Sequence, residues 1–222
     1  AEHYDGVATY PQEWGNAMHS VLANQNQPYE TASYPPFTAE IASTCNEQLL
    51  ANYMLKNAKT KEEKLFYLGQ QMENFRGSFF RQAMFAEFEL AAHEIAERGE
   101  GVSGPKLTEL YYGLLKKYHG PGMTIDETYG VEWAYILHFL NYNYYVFQYA
   151  TSITASVFFA DKLQTGAPAE RDRYLAMLKA GGSDYGYNLL KTAGLDMATP
   201  QPYQTLVATF SKALDEAEKL IA

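Results

Sequence analysis

From Leu65 to Leu90, apolar residues recur at steps of three and four: Leu65, Leu68, Met72, Phe75, Phe79, Ala83, Ala86 and Leu90. That is the spacing of one face of an α-helix. Phe66, Phe80, Met84, Phe85 and Phe88 fall off the stripe. A helix apolar over so much of its circumference is expected to be central rather than superficial. It should stop near Gly99. Upstream, the pattern predicts a helix over about 11–24, with Thr9 to Gln12 as an S/T-x-x-E/Q cap and Pro11 in the first turn. A polar loop then runs to Pro36, which opens a helix reaching about Asn57.

Downstream, a helix is expected over about 105–118, closed by the turn His119-Gly120-Pro121-Gly122. Helical patterning resumes near Asp126 and runs through the aromatic-rich 133–163. Shorter helices fit 168–180, stopped by Gly181-Gly182, and 185–193, stopped by Gly194; Pro200 and Pro202 precede a last amphipathic helix. The expectation is an all-α chain, with residues 1–222 forming a single helical domain. Gly99-Glu100-Gly101-Val102-Ser103-Gly104 spells G-x-G-x-x-G, but it follows a helix rather than a strand, so the dinucleotide reading fails its context.

Composition narrows the function classes. A net charge of −9 disfavours nucleic acid, which needs a basic face. Cys45 is the sole cysteine, which excludes an internal disulfide and suits a buried packing residue. Asn141-Tyr142-Asn143 interrupts the best apolar run, so no membrane span is expected. The compartment stays open between exported and cytoplasmic.

Candidate chemistry concentrates in residues 12–16, Gln-Glu-Trp-Gly-Asn. With histidine at 12 and 16 this segment would read H-E-W-G-H. Residues i and i+4 share a helix face, where two imidazoles can hold one Zn²⁺ and the intervening glutamate can deprotonate a metal-bound water. Gln12 and Asn16 offer neutral amide oxygens instead, poor zinc donors. Glu13 then has no metal-activated water to work on.

Further segments carry a wider likeness. They are Phe37-Thr38-Ala39-Glu40-Ile41-Ala42-Ser43-Thr44, the run from Arg76 to Glu89, His138-Phe139 with Tyr145 to Thr151, and Gly181-Gly182-Ser183 with Leu189 to Gly194. In this order, over essentially the whole chain, they resemble the C-terminal catalytic part of the oligoendopeptidase F family, zinc metallopeptidases related to thimet oligopeptidase. The resemblance implies a helical peptidase fold acting on short peptides in an enclosed channel. Gln12 and Asn16 hold the positions of the two histidine ligands, Glu13 that of the general base and Glu40 that of the glutamate ligand. His138 and Tyr145 hold the positions of oxyanion donors, with Phe147 where relatives often have another tyrosine. Tyr142 and Tyr149 are expected to line the peptide groove. The family cofactor is zinc; with both histidines replaced, none is expected here. The family's N-terminal half, the other wall of the channel, is missing from the 222 residues, so a separate N-terminal half or partner subunit is expected to cover apolar surface.

Blander readings stand beside these. Glu13 and Glu40 also suit the first turn of a helix, where the dipole favours acids. The tyrosines at 142, 144, 145 and 149 equally suit packing, and Arg76 and Arg81 suit ion pairs with Glu73, Glu87 or another acid. His19 sits three residues beyond Asn16 but is not a family ligand; His3 reaches the site only through an unknown path, and His93 and His119 fit surface or loop positions. The reading is a family member with a degenerate zinc site, inactive as written and binding peptides. Two alternatives accompany it: an active zinc oligopeptidase fragment, were residues 12 and 16 in truth histidine, and an assembly subunit reusing the fold.

Overall fold

In the computed structural model the described residues run from Tyr4 to Ala222, with side chains described from Gly6 onward. All regular structure among them is helical. The helices are α1 (Tyr4–Asn26), α2 (Tyr29–Ala32), α3 (Pro36–Asn57) and α4 (Lys61–Phe75), followed by a π-helical segment (Arg76–Phe80) and α5 (Arg81–Glu97). Then come α6 (Gly104–His119), a 3-10 segment (Glu127–Tyr135), α7 (His138–Asn141), α8 (Phe147–Gln164), α9 (Pro168–Lys179), α10 (Gly186–Thr192) and α11 (Gln201–Ile221). No described helix is long and apolar enough to cross a membrane.

Three expectations are corrected. Helix α1 already runs from Tyr4, so Thr9 caps nothing and Pro11 lies inside the helix. The long central helix is interrupted by the π segment at Arg76–Phe80, where the Gln82 amide donates to the Gly77 carbonyl at 3.2 Å. The 126–163 stretch is not one helix. It divides into the 3-10 segment, α7, a turn and α8, and Tyr144 in that turn adopts a left-handed φ of 56°. Asp126 caps the 3-10 segment by accepting from the Thr128 backbone N–H at 2.8 Å. Thr60 and Glu63 form a capping box at the start of α4: the Glu63 N–H donates to Thr60 Oγ1 at 3.1 Å, and the Glu63 carboxylate accepts from the Thr60 N–H at 3.4 Å and from the Lys59 N–H at 2.7 Å.

Contacts group the chain into two units: residues up to Phe75 together with Thr151–Ala222, and Arg76–Ala150. In the first, α3, α8, α9 and α10 close over a core that includes Ile41, Cys45, Phe159, Tyr174, Leu178 and Leu190. Burial of such side chains contributes about 1.5–3 kcal/mol each. Helix α8 is buried along much of its length and carries polar residues into the core; Ser156 Oγ donates to the Ile41 and Ser152 carbonyls at 3.2 and 2.8 Å, while the Ser152 hydroxyl is buried without a partner. Helix α11 packs Ala213 and Ala217 against Leu68 of α4. Gly181 and Gly182 lie against the backbone of 31–33, where a Cβ on Gly182 would stand 2.1 Å from the Ser33 carbonyl oxygen.

The second unit is built on Met84, Phe85, Phe88, Tyr111, Leu114, Leu115 and Val146. Arg81 pairs with Glu132, which also accepts from Tyr111 Oη at 2.6 Å, and the Arg81 guanidinium lies 4.7 Å from the Phe85 ring centre. The acid partner expected for Arg81 is thus Glu132, distant in sequence, while Glu87 instead pairs with Lys117 and Tyr118.

Candidate functional site

Helix α1 carries Gln12, Glu13 and Asn16, and α3 carries Glu40. The two helices touch backbone to backbone. A Cβ on Gly15 would lie 2.4 Å from the Ala42 carbonyl oxygen and 2.6 Å from the Ser43 Cα. No side chain fits there, which accounts for the glycine between Trp14 and Asn16. One turn away the Asn46 amide donates to the Pro11 carbonyl at 3.0 Å, a further tie between the helices. Residues 12–16 are therefore held against the turn of α3 that begins at Glu40.

Within that turn the Glu40 carboxylate accepts from Ser43 Oγ at 2.9 Å. Glu13 is exposed; Gln12, Asn16 and Glu40 are partly buried. Neither glutamate lies in a first helical turn: α1 begins at Tyr4, and the first turn of α3 holds no acid. The helix-dipole explanation therefore fails for both. Trp14 and Tyr10 present exposed rings on the same helix.

These donors do not suit zinc. Two carboxamides and one carboxylate, itself hydrogen-bonded to a serine, lack the imidazole or thiolate nitrogen and sulfur donors that the ion prefers. Among the described residues no three His, Cys, Asp or Glu side chains gather closely enough to hold a metal ion. His19 supplies no replacement. Its imidazole is 1% exposed and stacked on Tyr34 with ring centres 3.6 Å apart, and burial pushes its pKa down to about 4. His119 Nδ1 is bonded to the Leu115 carbonyl oxygen, and the His93 ring lies 4.7 Å from that of Tyr144. His3 lies outside the described residues.

The remaining candidates all fall in the second unit and form a cluster of their own. His138 Nε2 and Tyr149 Oη are 3.1 Å apart, and the Tyr145 ring stacks on His138 at 5.8 Å and 21°. Tyr142 lies 6.2 Å from His138 and 6.1 Å from Tyr145. This grouping depends on the broken helix. The α7 helix and the left-handed Tyr144 turn the chain back, so that residues 138, 142, 145 and 149 meet around one imidazole. The Tyr144 N–H donates to the buried Glu89 carboxylate at 2.8 Å, which holds the turn. Phe147, at the position where the resemblance implies a further tyrosine in relatives, brings a ring without a hydroxyl.

Two features escaped the sequence reading. Gly15 could have been noticed as a small residue inside an otherwise large-residue motif. Glu47, two turns along α3 from Glu40, has its pKa raised to about 7 by burial and then by the Glu40 charge. Nothing in the local sequence marks it, because the elements around it come from other parts of the chain.

The model of peptidase family M3 matches residues 3–209. The chain is 45% identical over 218 residues to an oligopeptidase PepF of Bacillus subtilis, a match covering 98% of this chain and 32% of the relative. It is 40% identical over 217 residues to the chromosomal oligoendopeptidase F of Lactococcus lactis subsp. cremoris, covering 98% and 36%. Among solved structures, oligoendopeptidase-F from Enterococcus faecium superposes with a TM-score of 0.86 at 37% identity, over 98% of this chain and 39% of that one. A putative peptidase from Chlamydophila abortus gives 0.89 at 40% identity, over 96% and 36%. The chain spans about a third of the length of the curated relatives it matches. With one family model running through both the α1 motif and the His138 cluster, the chain belongs to peptidase family M3.

Proposed function

We propose that this chain corresponds to the C-terminal catalytic region of an oligoendopeptidase F-like protein, acts as one catalytic-type domain, and has lost hydrolysis while keeping peptide binding. The observation carrying this reading is the pair of carboxamides, Gln12 and Asn16, at the ligand positions beside Gly15. In the family, zinc supplies an activated water and a Lewis acid when bound. The residues here do not fit it, so no hydrolytic step is derived for them.

What this chain's own residues can do is bind. A peptide carbonyl needs a donor, and the Tyr145 hydroxyl, beside the hydrogen-bonded His138–Tyr149 pair, supplies one within the aromatic cluster. Aromatic faces of Tyr142 and Tyr145 give apolar contact to peptide side chains. Oxyanion donors of an active relative become, without an attacking water, ground-state donors to an intact peptide bond. Short peptides are the ligand class, and a separate N-terminal half or partner subunit completes the binding channel.

The test is elemental zinc analysis of the purified 222-residue chain, alongside a peptide-cleavage assay and peptide binding by calorimetry. The expected result is no stoichiometric zinc, no cleavage, and binding weakened by Tyr145→Phe. One zinc per chain, with cleavage that a chelator abolishes, would overturn the proposal. Placing histidine at both positions by the double variant Gln12→His/Asn16→His should create zinc binding if α1 and Glu40 still hold the ligand geometry.

A further inference from the structure

A second site lies away from the His138 cluster, in the first unit. Helices α1, α3 and α4 enclose a cavity of about 320 Å³ whose lining includes Thr9, Glu47, Gln48, Ala51, Gln71 and Asn74. Four of its polar side chains have hydrogen-bonding capacity that is not used among the described residues. Gln48 is 4% exposed, and among the described residues no hydrogen bond engages its carboxamide. Asn74 Oδ1 is buried without a partner. No ion pair among the described residues engages Glu47, whose carboxylate is destabilised by burial and by Glu40. Gln71, nearly buried, spends one N–H on Asn52 Oδ1 at 3.4 Å, leaving its oxygen available. Buried polar groups are ordinarily satisfied, so the partnerless Asn74 oxygen, beside the unengaged Glu47 and Gln48 side chains, points to something that belongs in the cavity.

We propose that this cavity binds a primary ammonium group carried on a short aliphatic body. The lining offers acceptors, the carboxylates of Glu47 and Glu73 and amide oxygens, and no lysine or arginine. An ammonium has three donors and no acceptor, so it matches that set, and its charge offsets the cost of an ionised buried carboxylate. The volume exceeds what a bare metal ion fills, and Ala8 and Ala51 give apolar wall for methylene groups. Lysine side chains and free amino termini share this chemistry; the site recognises the group, not its source. The inference is independent of whether the His138 cluster binds peptides.

The experiment is calorimetric titration of the 222-residue chain with n-butylammonium chloride, against n-butanol and tetramethylammonium as probes lacking the charge and the N–H donors respectively. The expected result is saturable binding of butylammonium alone, weakened about tenfold or more by Glu47→Gln, the worth of a charge-assisted hydrogen bond. A second variant, Ala51→Leu, fills the cavity without touching a polar group and should also abolish binding. Thermal unfolding of both variants checks that they fold. Equal binding of butanol or tetramethylammonium, unchanged affinity in both variants, displacement by potassium chloride at matched ionic strength, or no saturable binding would overturn the assignment. Substituting N-terminally free and acetylated peptides for butylammonium separates the amino-terminus source from the lysine source.

Discussion

Replacing Gly15 by alanine should move the two helices that carry residues 12–16 and Glu40. The new Cβ would stand 2.4 Å from the Ala42 carbonyl oxygen and 2.6 Å from the Ala42 carbonyl carbon and the Ser43 Cα. These are backbone atoms, so no rotamer change relieves the clash, and α1 and α3 must separate by about 1 Å to reach ordinary van der Waals contact. Overpacking of this kind costs about 1–3 kcal/mol, and a backbone-on-backbone clash belongs at the upper end. The helix-propensity gain of alanine over glycine returns up to about 1 kcal/mol. The expected net loss is about 1–2 kcal/mol. Gly69→Ala in α4 is the matched control, because nothing lies within 4 Å of its added Cβ; there the propensity term acts alone and the variant should gain about 0.5–1 kcal/mol. Urea denaturation of the two variants beside the parent chain measures both. If Gly15→Ala is as stabilising as Gly69→Ala, the close crossing is wrong, and with it the placement of residues 12–16 against the turn that starts at Glu40.

The pH dependence of stability should carry two opposed contributions. Glu47, its folded pKa raised from 4.5 to about 7 by burial and then by Glu40, contributes stability that is complete below pH 4.5 and lost as pH rises towards 7. Glu47→Gln should therefore be more stable than the parent chain above pH 7, by on the order of 2–3 kcal/mol at most, with the difference vanishing near pH 4 in paired thermal melts. His19, its folded pKa lowered from 6.5 to about 4 by burial, contributes stability present above pH 6.5 and lost as pH falls towards 4. A flat acid limb in a His19→Phe variant, where the parent declines, checks it. Tyr111→Phe removes the hydroxyl that donates to Glu132 at 2.6 Å and should cost about 1.5–3 kcal/mol by chemical denaturation; a cost under about 0.5 kcal/mol would show that Arg81 alone satisfies the carboxylate.

How much of this was legible in the chain depends on the range of the interaction. The stripe from Leu65 to Leu90 predicts a buried helical face; of it Leu68 and Phe75 are fully interior and Leu90 is exposed, while Met84, Phe85 and Phe88, off the stripe, are buried as well. The stops at Gly99, Gly120, Gly181 and Gly194 were read correctly because each adopts a positive φ that glycine tolerates, a local property. The Thr9 cap was misread because the same four-residue pattern occurs by composition. Whether it caps depends on where the preceding residues go, and the chain is helical from Tyr4. The break between Asp126 and Phe147 was invisible to periodicity, since aromatic residues in succession satisfy helical spacing whether or not the backbone turns.

The sequence by itself determined the helical class, most element boundaries, the family, and the identity of the side chains at positions 12, 13, 16 and 40, because periodicity, caps and motif order are properties of neighbours along the chain. It also showed that the amides at 12 and 16 are poor zinc donors, a matter of atom type. Tertiary structure alone decided that Gly15 is the crossing point of α1 and α3, that Tyr142, Tyr145 and Tyr149 gather on His138, and that Glu47 faces a polar cavity with Gln48 and Asn74. Each of these depends on the close approach of backbone turns or on burial. Desolvation and van der Waals exclusion act between residues near in space, and their separation along the chain carries no signal of that proximity.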